Sequence, residues 1–217
     1  MFPGGRVDPA DLDGLAEPVS EETGSGAAGV GETTGELAAA RRAAARETAE
    51  EAGLTIDGRA LVPLARWCPP AAAARRFQTW ILLGRAPEQD VTVDGGEIVE
   101  HRWMRPAAAL QARDAGEIEL LPPTWVTLWT LMSHGTVAAA LAGGAATAPE
   151  LFETEIAKAP GGLVAIWHGD ADYRGAAPAG SERHDPESAD RSGAAHTGGR
   201  HRLWMLSTGW RYERASF

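Results

Sequence analysis

The chain carries a single cysteine, Cys68. That excludes an intrachain disulfide and any zinc site built from several thiolates, and it fits a reducing compartment. No apolar run approaches the roughly 18–20 residues that span a bilayer, and the first residues lack the charged-then-apolar layout of a signal peptide. A cytoplasmic protein is therefore expected. Positive charge is also scarce: 20 Lys and Arg stand against 30 Asp and Glu, a formal net charge of -10. A phosphate backbone or an anionic membrane would repel such a chain unless basic residues clustered, and the arginines are spread out. Neither nucleic acid nor membrane is an expected partner. There is no internal repeat. What remains is 217 residues, 44% hydrophobic, enough for a core in one domain with elaborations.

The stretch Arg46-Glu47-Thr48-Ala49-Glu50-Glu51-Ala52-Gly53-Leu54 closes a helix expected from about Glu36 to Ala52. Glu47, Glu50 and Glu51 are three and four positions apart, so their carboxylates share one face. Like charges at this spacing cost a few tenths of a kcal/mol per pair, which suggests a cation between them. The plainer alternative is a solvated acidic end on an Ala-rich helix. Thr33 and Glu36 are placed for a capping box at the helix start, and Gly53 for the left-handed residue that ends it. Ala40, Ala44 and Thr48 offer a small-residue packing face. Upstream, Gly4 and Gly5 suit a loop whose backbone approaches a phosphate or a metal. Residues 12–34, rich in Gly, Ser, Glu and Ala, read as a loop or mobile insertion.

Beyond the helix, Arg59–Cys68 and Arg76–Arg85 read as strands joined by a Pro69-Pro70 turn. Arg75 and Arg76 are candidates for contacting an anionic substrate. Glu97–Trp103 alternates like a further strand, with Glu97 and Glu100 on opposite faces. Pro106 starts a short helix through about Arg113, and a second helix follows Pro122-Pro123 and reaches Met132. In it Trp125, Leu128, Trp129 and Met132 recur at core-facing spacing. A helix over Thr136–Leu141, a strand over Leu163–Trp167 and a turn at His168–Asp172 come next. Residues 174–200 read as a long flexible loop, and Arg202–Leu206 with Trp210–Tyr212 as a terminal hairpin.

Phe2-Pro3-Gly4-Gly5, the Arg46–Leu54 string, Arg75-Arg76-Phe77, Glu100-His101-Arg102-Trp103 and Leu121-Pro122-Pro123-Thr124 together resemble the Nudix hydrolases. The branch they are most similar to holds the peroxisomal coenzyme A diphosphatases and their bacterial relatives. The resemblance implies an α/β fold, an α/β/α sandwich around a mixed sheet. It places a Nudix domain at 1–135 and a C-terminal extension at 136–217, packed on the same domain. In Nudix proteins strands precede a segment like Phe2–Gly5; none stands here, and a misassigned start is the expected reason. The implied activity is hydrolysis of a nucleoside diphosphate linked to another moiety, such as coenzyme A or acyl-coenzyme A, with magnesium or manganese as cofactor. Arg46, Glu47, Glu50 and Glu51 would be the catalytic set, with Arg46 orienting a glutamate through a bidentate pair. Glu47, Glu50 and Glu51 would ligate the metal, supplemented by Glu100, and Gly4, Gly5, Arg75 and Arg76 would contact substrate. The expected partner is a small-molecule nucleotide diphosphate, and a homodimer is compatible with the reading.

Three positions depart from the family pattern. Counting back from Arg46, the glutamate of the box's first half falls on Ala38 and its leading glycine on Glu32, and Gln78 stands where the branch has Asp. Glu36 or Asp11 could supply the displaced carboxylate. The competing functions are a catalytically silent Nudix-fold binding module and an unrelated acidic structural protein.

Overall fold

A computed structural model describes residues 2–15, 34–71, 73, 77–93, 95, 100–175 and 199–215. The fold class is α/β. Among the described residues four α-helices, α1 (Thr34–Ala52), α2 (Pro106–Asp114), α3 (Pro122–Leu131) and α4 (Val137–Ala145), accompany seven strands. These are β1 (Val62–Cys68), β2 (Thr79–Leu83), β3 (Glu150–Glu153), β4 (Glu155–Ala159), β5 (Gly162–Ile166), β6 (His201–Leu206) and β7 (Gly209–Arg214). One sheet has the order β2-β1-β3, and a second the order β4-β5-β6-β7. No helix among the described residues is long and apolar enough to cross a membrane. The chain forms two compact units, Met1–Leu64 with Leu82–Trp103 and Thr136–Ala148, and Ala65–Ile81 with Met104–Gly135 and Pro149–Phe217.

The first unit is organised by α1. Its alanines carry no side-chain entropy cost in a helix, and Ala39, Ala40, Ala43 and Ala52 are buried. The packing face is thus rotated from the Ala40, Ala44, Thr48 stripe; Thr48 instead turns its hydroxyl back to the Ala44 carbonyl. Gly53 ends the helix at φ 66°, as its position predicts, and its amide donates to the Ala49 carbonyl. Thr33, half of the expected capping box, lies outside the described residues. Ahead of α1, Pro9–Leu12 forms a short 3-10 turn within the stretch that sequence reading left without an element. Asp8 and Asp11 cap it reciprocally.

The second unit contains the main aromatic core. Trp67 stacks on Phe152 with ring centres 4.0 Å apart and planes 3° from parallel, and Trp167 meets both rings edge-on. β1 and β3 run parallel, pairing Trp67 with Phe152. The second sheet is antiparallel throughout, and β6 and β7 form the expected terminal hairpin, Leu206 opposite Gly209. Along α3 the buried residues are Trp125, Val126, Thr127 and Leu128, whereas Trp129 and Met132 are 37% and 43% exposed. The expected stripe is therefore only half right, because α3 is covered on adjoining sides near its middle and open at its end. β3 and β4 were not anticipated. The expected Glu97–Trp103 strand is not formed over residues 100–103, and residues 96–99 lie outside the described set. The last residues of this stretch lead into Pro106, whose ring restricts Arg105 to an extended conformation.

Candidate functional site

The carboxylates at the end of α1 gather around Arg46. Its Nη1 donates to Glu47 Oε1 at 2.9 Å and to Glu50 Oε2 at 3.1 Å. Nη2 donates to Asp11 Oδ2 at 3.1 Å and to the Arg6 carbonyl at 2.9 Å, with Asp8 at 3.6 Å. This corrects the expected bidentate pair: the guanidinium is divided among several acceptors instead of forking onto one glutamate. The helix explains it, since Arg46 and Glu50 are one turn apart and Asp11 is brought opposite them by the 3-10 turn. Nε of Arg46 is buried and has no acceptor.

Asp11 is 5% exposed. Burial opposes its charge, but the hydrogen bonds from Arg46 and from the Asp8 amide, with the charges of Arg46 and Arg42, hold its carboxyl below the usual range. Arg42 reaches the same turn and donates to the Asp11 and Asp13 carbonyls. For Arg46 the hydrogen bond to Asp11 is the leading influence and raises its pKa against the effect of burial. Asp11, named as a substitute for the carboxylate missing at Ala38, thus stands within the cluster.

The glycine loop lies directly against these carboxylates. The Gly4 amide donates to Glu51 Oε2 at 3.2 Å. A Cβ built on Gly5 would fall 2.1 Å from Glu47 Oε1, so only glycine leaves the Glu47 carboxylate where it is. Sequence reading expected Gly4 and Gly5 to approach a ligand; in this structure their backbone approaches the carboxylates proposed to hold one. Glu51 is 5% exposed, while the Glu50 side chain is 58% exposed. The cluster therefore has a buried side and a solvent side.

Glu100 is placed differently. Its side chain is 75% exposed and pairs with Arg102 at 3.4 Å. Arg75 and Arg76 lie outside the described residues. The Glu47, Glu50 and Glu51 donors are hard oxygens of the kind that magnesium and manganese take. Among the described residues, however, no three His, Cys, Asp or Glu side chains converge as ligands of one ion. Arg46 takes one oxygen each from Glu47 and Glu50.

Sequence reading missed a second network, in the other unit. Asp170, read as a turn residue in preference to a metal ligand beside His168 and Asp172, has a side chain with no exposure, and Arg202 beside it has 4%. Arg202 Nε donates to Asp170 Oδ2 at 2.8 Å, while Nη2 donates to Asp170 Oδ1 and to Asp172 Oδ2, the latter at 2.6 Å. Asp170 also accepts from the amides of His201 and Asp172 at 2.8 and 2.9 Å. Burial opposes the charge on each partner. Their mutual hydrogen bonds prevail, holding Asp170 below and Arg202 above the usual range. Next to them His201 is 2% exposed. Its Nδ1 lies 2.8 Å from the His168 carbonyl, which can only accept, so that nitrogen carries the proton. Burial pushes the His201 pKa below its ordinary value. The available signal was Arg202 at the head of an apolar strand, where a charge demands a buried partner.

Comparison with protein-family models, with curated proteins and with solved structures finds no match.

Proposed function

We propose that the chain is a metal-dependent hydrolase of the Nudix type, cleaving a nucleoside diphosphate linked to another moiety in the cytoplasm. The observation that carries this reading is the Gly4-Gly5 backbone laid across Glu51 and Glu47 at the end of α1, which joins two of the resembling motifs in one place. Such an assembly gathers more carboxylates than guanidinium groups, and the excess negative charge favours a divalent cation. Glu47, Glu50 and Glu51 would hold magnesium or manganese, with Glu100 as the further expected donor. The ion, when bound, offsets charge on the diphosphate and lowers the pKa of a bound water. The chain's own part is positioning. Arg46 restrains Glu47 and Glu50, Asp11 restrains Arg46, and Gly5 leaves room for the Glu47 carboxylate. Coenzyme A and acyl-coenzyme A are the first substrates to test; water adds across the phosphoric anhydride to give adenosine 3',5'-bisphosphate and a phosphopantetheine.

The test is product chromatography with magnesium and with coenzyme A, acyl-coenzyme A, NADH and ADP-ribose. Turnover of one of these, abolished by Glu50→Gln and Glu51→Gln, is expected. Equal turnover by both variants would sink the assignment of the site.

A second reading, a catalytically silent Nudix-fold binding module, is favoured by one feature. Arg46 already supplies a positive charge to Glu47 and Glu50, so the helix end is partly neutralised without a metal. Binding of a nucleotide diphosphate without turnover would select it.

A further inference from the structure

We propose that Arg46 is a resident counter-cation that a divalent ion displaces from the glutamates of α1, and that Asp11 is the positioning residue that takes it up. The inference rests on the hydrolase reading above and concerns the regulation of that same site. Arg46 Nη1 donates to Glu47 Oε1 at 2.9 Å and to Glu50 Oε2 at 3.1 Å, two oxygens of the set assigned to the cation. An ion on those oxygens would sit beside the guanidinium, and like charges at contact range repel. One of the two cations has to leave the glutamates.

The 3-10 turn gives Arg46 a place to go. Its Nη2 already donates to Asp11 Oδ2 at 3.1 Å and to the Arg6 carbonyl at 2.9 Å, so a small rotation of the guanidinium suffices. Asp11 is 5% exposed, and a carboxylate so buried keeps its charge only with a partner. Among the described residues the hydrogen bonds to its carboxylate, from Arg46 and from the Asp8 amide, both land on Oδ2. Oδ1 is the second oxygen of a two-point pair, and Arg46 still has a buried Nε–H without an acceptor. Asp8, 3.6 Å from Nη2 and 59% exposed, adds negative charge on the same side. Asp11 thus favours ion binding without touching the ion. Without Asp11 the guanidinium stays on Glu47 and Glu50 and the ion binds less tightly; without Arg46 that effect of Asp11 disappears.

The test is a double-mutant cycle on manganese affinity in the full chain, read from the free-ion electron paramagnetic resonance signal. Its members are wild type, Arg46→Gln, Asp11→Asn and the double variant. Asp13→Asn is the control, since it removes the same charge from the same turn and its carboxylate is not an acceptor of Arg46. Arg46→Gln should bind about tenfold more tightly than wild type and Asp11→Asn about tenfold more weakly. In the Arg46→Gln background Asp11→Asn should weaken binding no more than Asp13→Asn does in wild type. Equal weakening by Asp11→Asn in both backgrounds overturns the proposal, because Asp11 would then be a ligand or a structural support. Unchanged or weaker binding by Arg46→Gln overturns the displacement. If Asp11→Asn fails to fold, Asp8→Asn replaces it in the cycle with an expected coupling of about threefold, and no coupling there overturns the uptake. Binding by wild type that Glu50→Gln weakens, with no coupling between Arg46 and the turn, overturns the exchange alone. No saturable binding by wild type overturns the hydrolase reading together with it.

Discussion

Arg46 and Arg202 are each surrounded by carboxylates, but in surroundings that give the same groups different work. Around Arg202 the charges are removed from water, and each carboxylate oxygen of Asp170 accepts two N–H groups, Oδ2 from His201 and Arg202 and Oδ1 from Arg202 and Asp172. Around Arg46 one side is buried at Asp11 and Glu51, while Glu50 and Asp8 reach solvent at 58% and 59% side-chain exposure. The Arg202 network spends its hydrogen-bonding capacity on the fold. The Arg46 network holds an excess of negative charge at a surface where ions and water can exchange. The composition of a charged cluster therefore says less about its role than its burial and its balance.

The largest effect should come from unbalancing the buried pair. Asp170→Asn leaves the Arg202 charge inadequately paired in the interior and should cost about 3–5 kcal/mol, read as a lower urea midpoint. Replacing both partners, Asp170→Leu with Arg202→Met, should recover only part of it, since the His201 and Asp172 amides still lose their acceptor. At the other network Glu50→Gln should change stability by less than about 0.5 kcal/mol while removing hydrolysis. Comparable losses at the two sites would erase the distinction.

Acidification should separate the networks next. The folded pKa of His201 lies below its ordinary value of 6.5, so the unfolded chain takes up its proton first and stability falls as pH drops through and below that value. Asp170 and Asp11 also have lowered folded pKa values, so their contributions are present above the ordinary carboxyl value of 3.8 and are lost as pH falls through their folded ones. Urea midpoints measured from pH 8 to 5 should fall, and His201→Gln should flatten that decline. An unchanged slope would contradict the role given to His201.

Smaller effects are expected around Arg46. Arg46→Gln deprives buried Asp11 of its charged partner and should cost about 1–3 kcal/mol, with a larger rise in melting temperature on adding magnesium than wild type shows. Gly5→Ala should cost less than about 1 kcal/mol, because the Glu47 carboxylate it displaces is the end of a flexible side chain. Hydrolysis should nevertheless fall, since the carboxylate moves. A Gly5→Ala protein with full activity would remove the glycine loop from the site.

Elements encoded by local signals were readable in the sequence. Gly53 ends α1, Pro106 begins α2 and Pro122-Pro123 begins α3; the helix expected from Thr136 is α4, with Thr136 one residue ahead of it as a cap that accepts from the Ala139 amide. β3 and β4 were not readable, since Glu150-Leu151-Phe152-Glu153 is a weak strand former whose state is set by pairing with β1, far away in the chain. The candidate site followed the same division. The helical spacing of Glu47, Glu50 and Glu51 was visible, whereas the division of Arg46 between Asp11 and the glutamates depends on a 3-10 turn 35 residues upstream. Asp170 was recognised as a turn residue because Asp serves turns by its own side chain; that it also neutralises Arg202 required the β6 strand to be in place.

The central claim is that the carboxylates at the end of α1 hold a divalent cation. It is tested most directly by titrating manganese into the full chain and following the free-ion electron paramagnetic resonance signal, for wild type and for Glu47→Gln, Glu50→Gln and Glu51→Gln. The account predicts saturable binding by wild type that each substitution weakens. No saturable binding by wild type, or the same affinity in all four proteins, would contradict it.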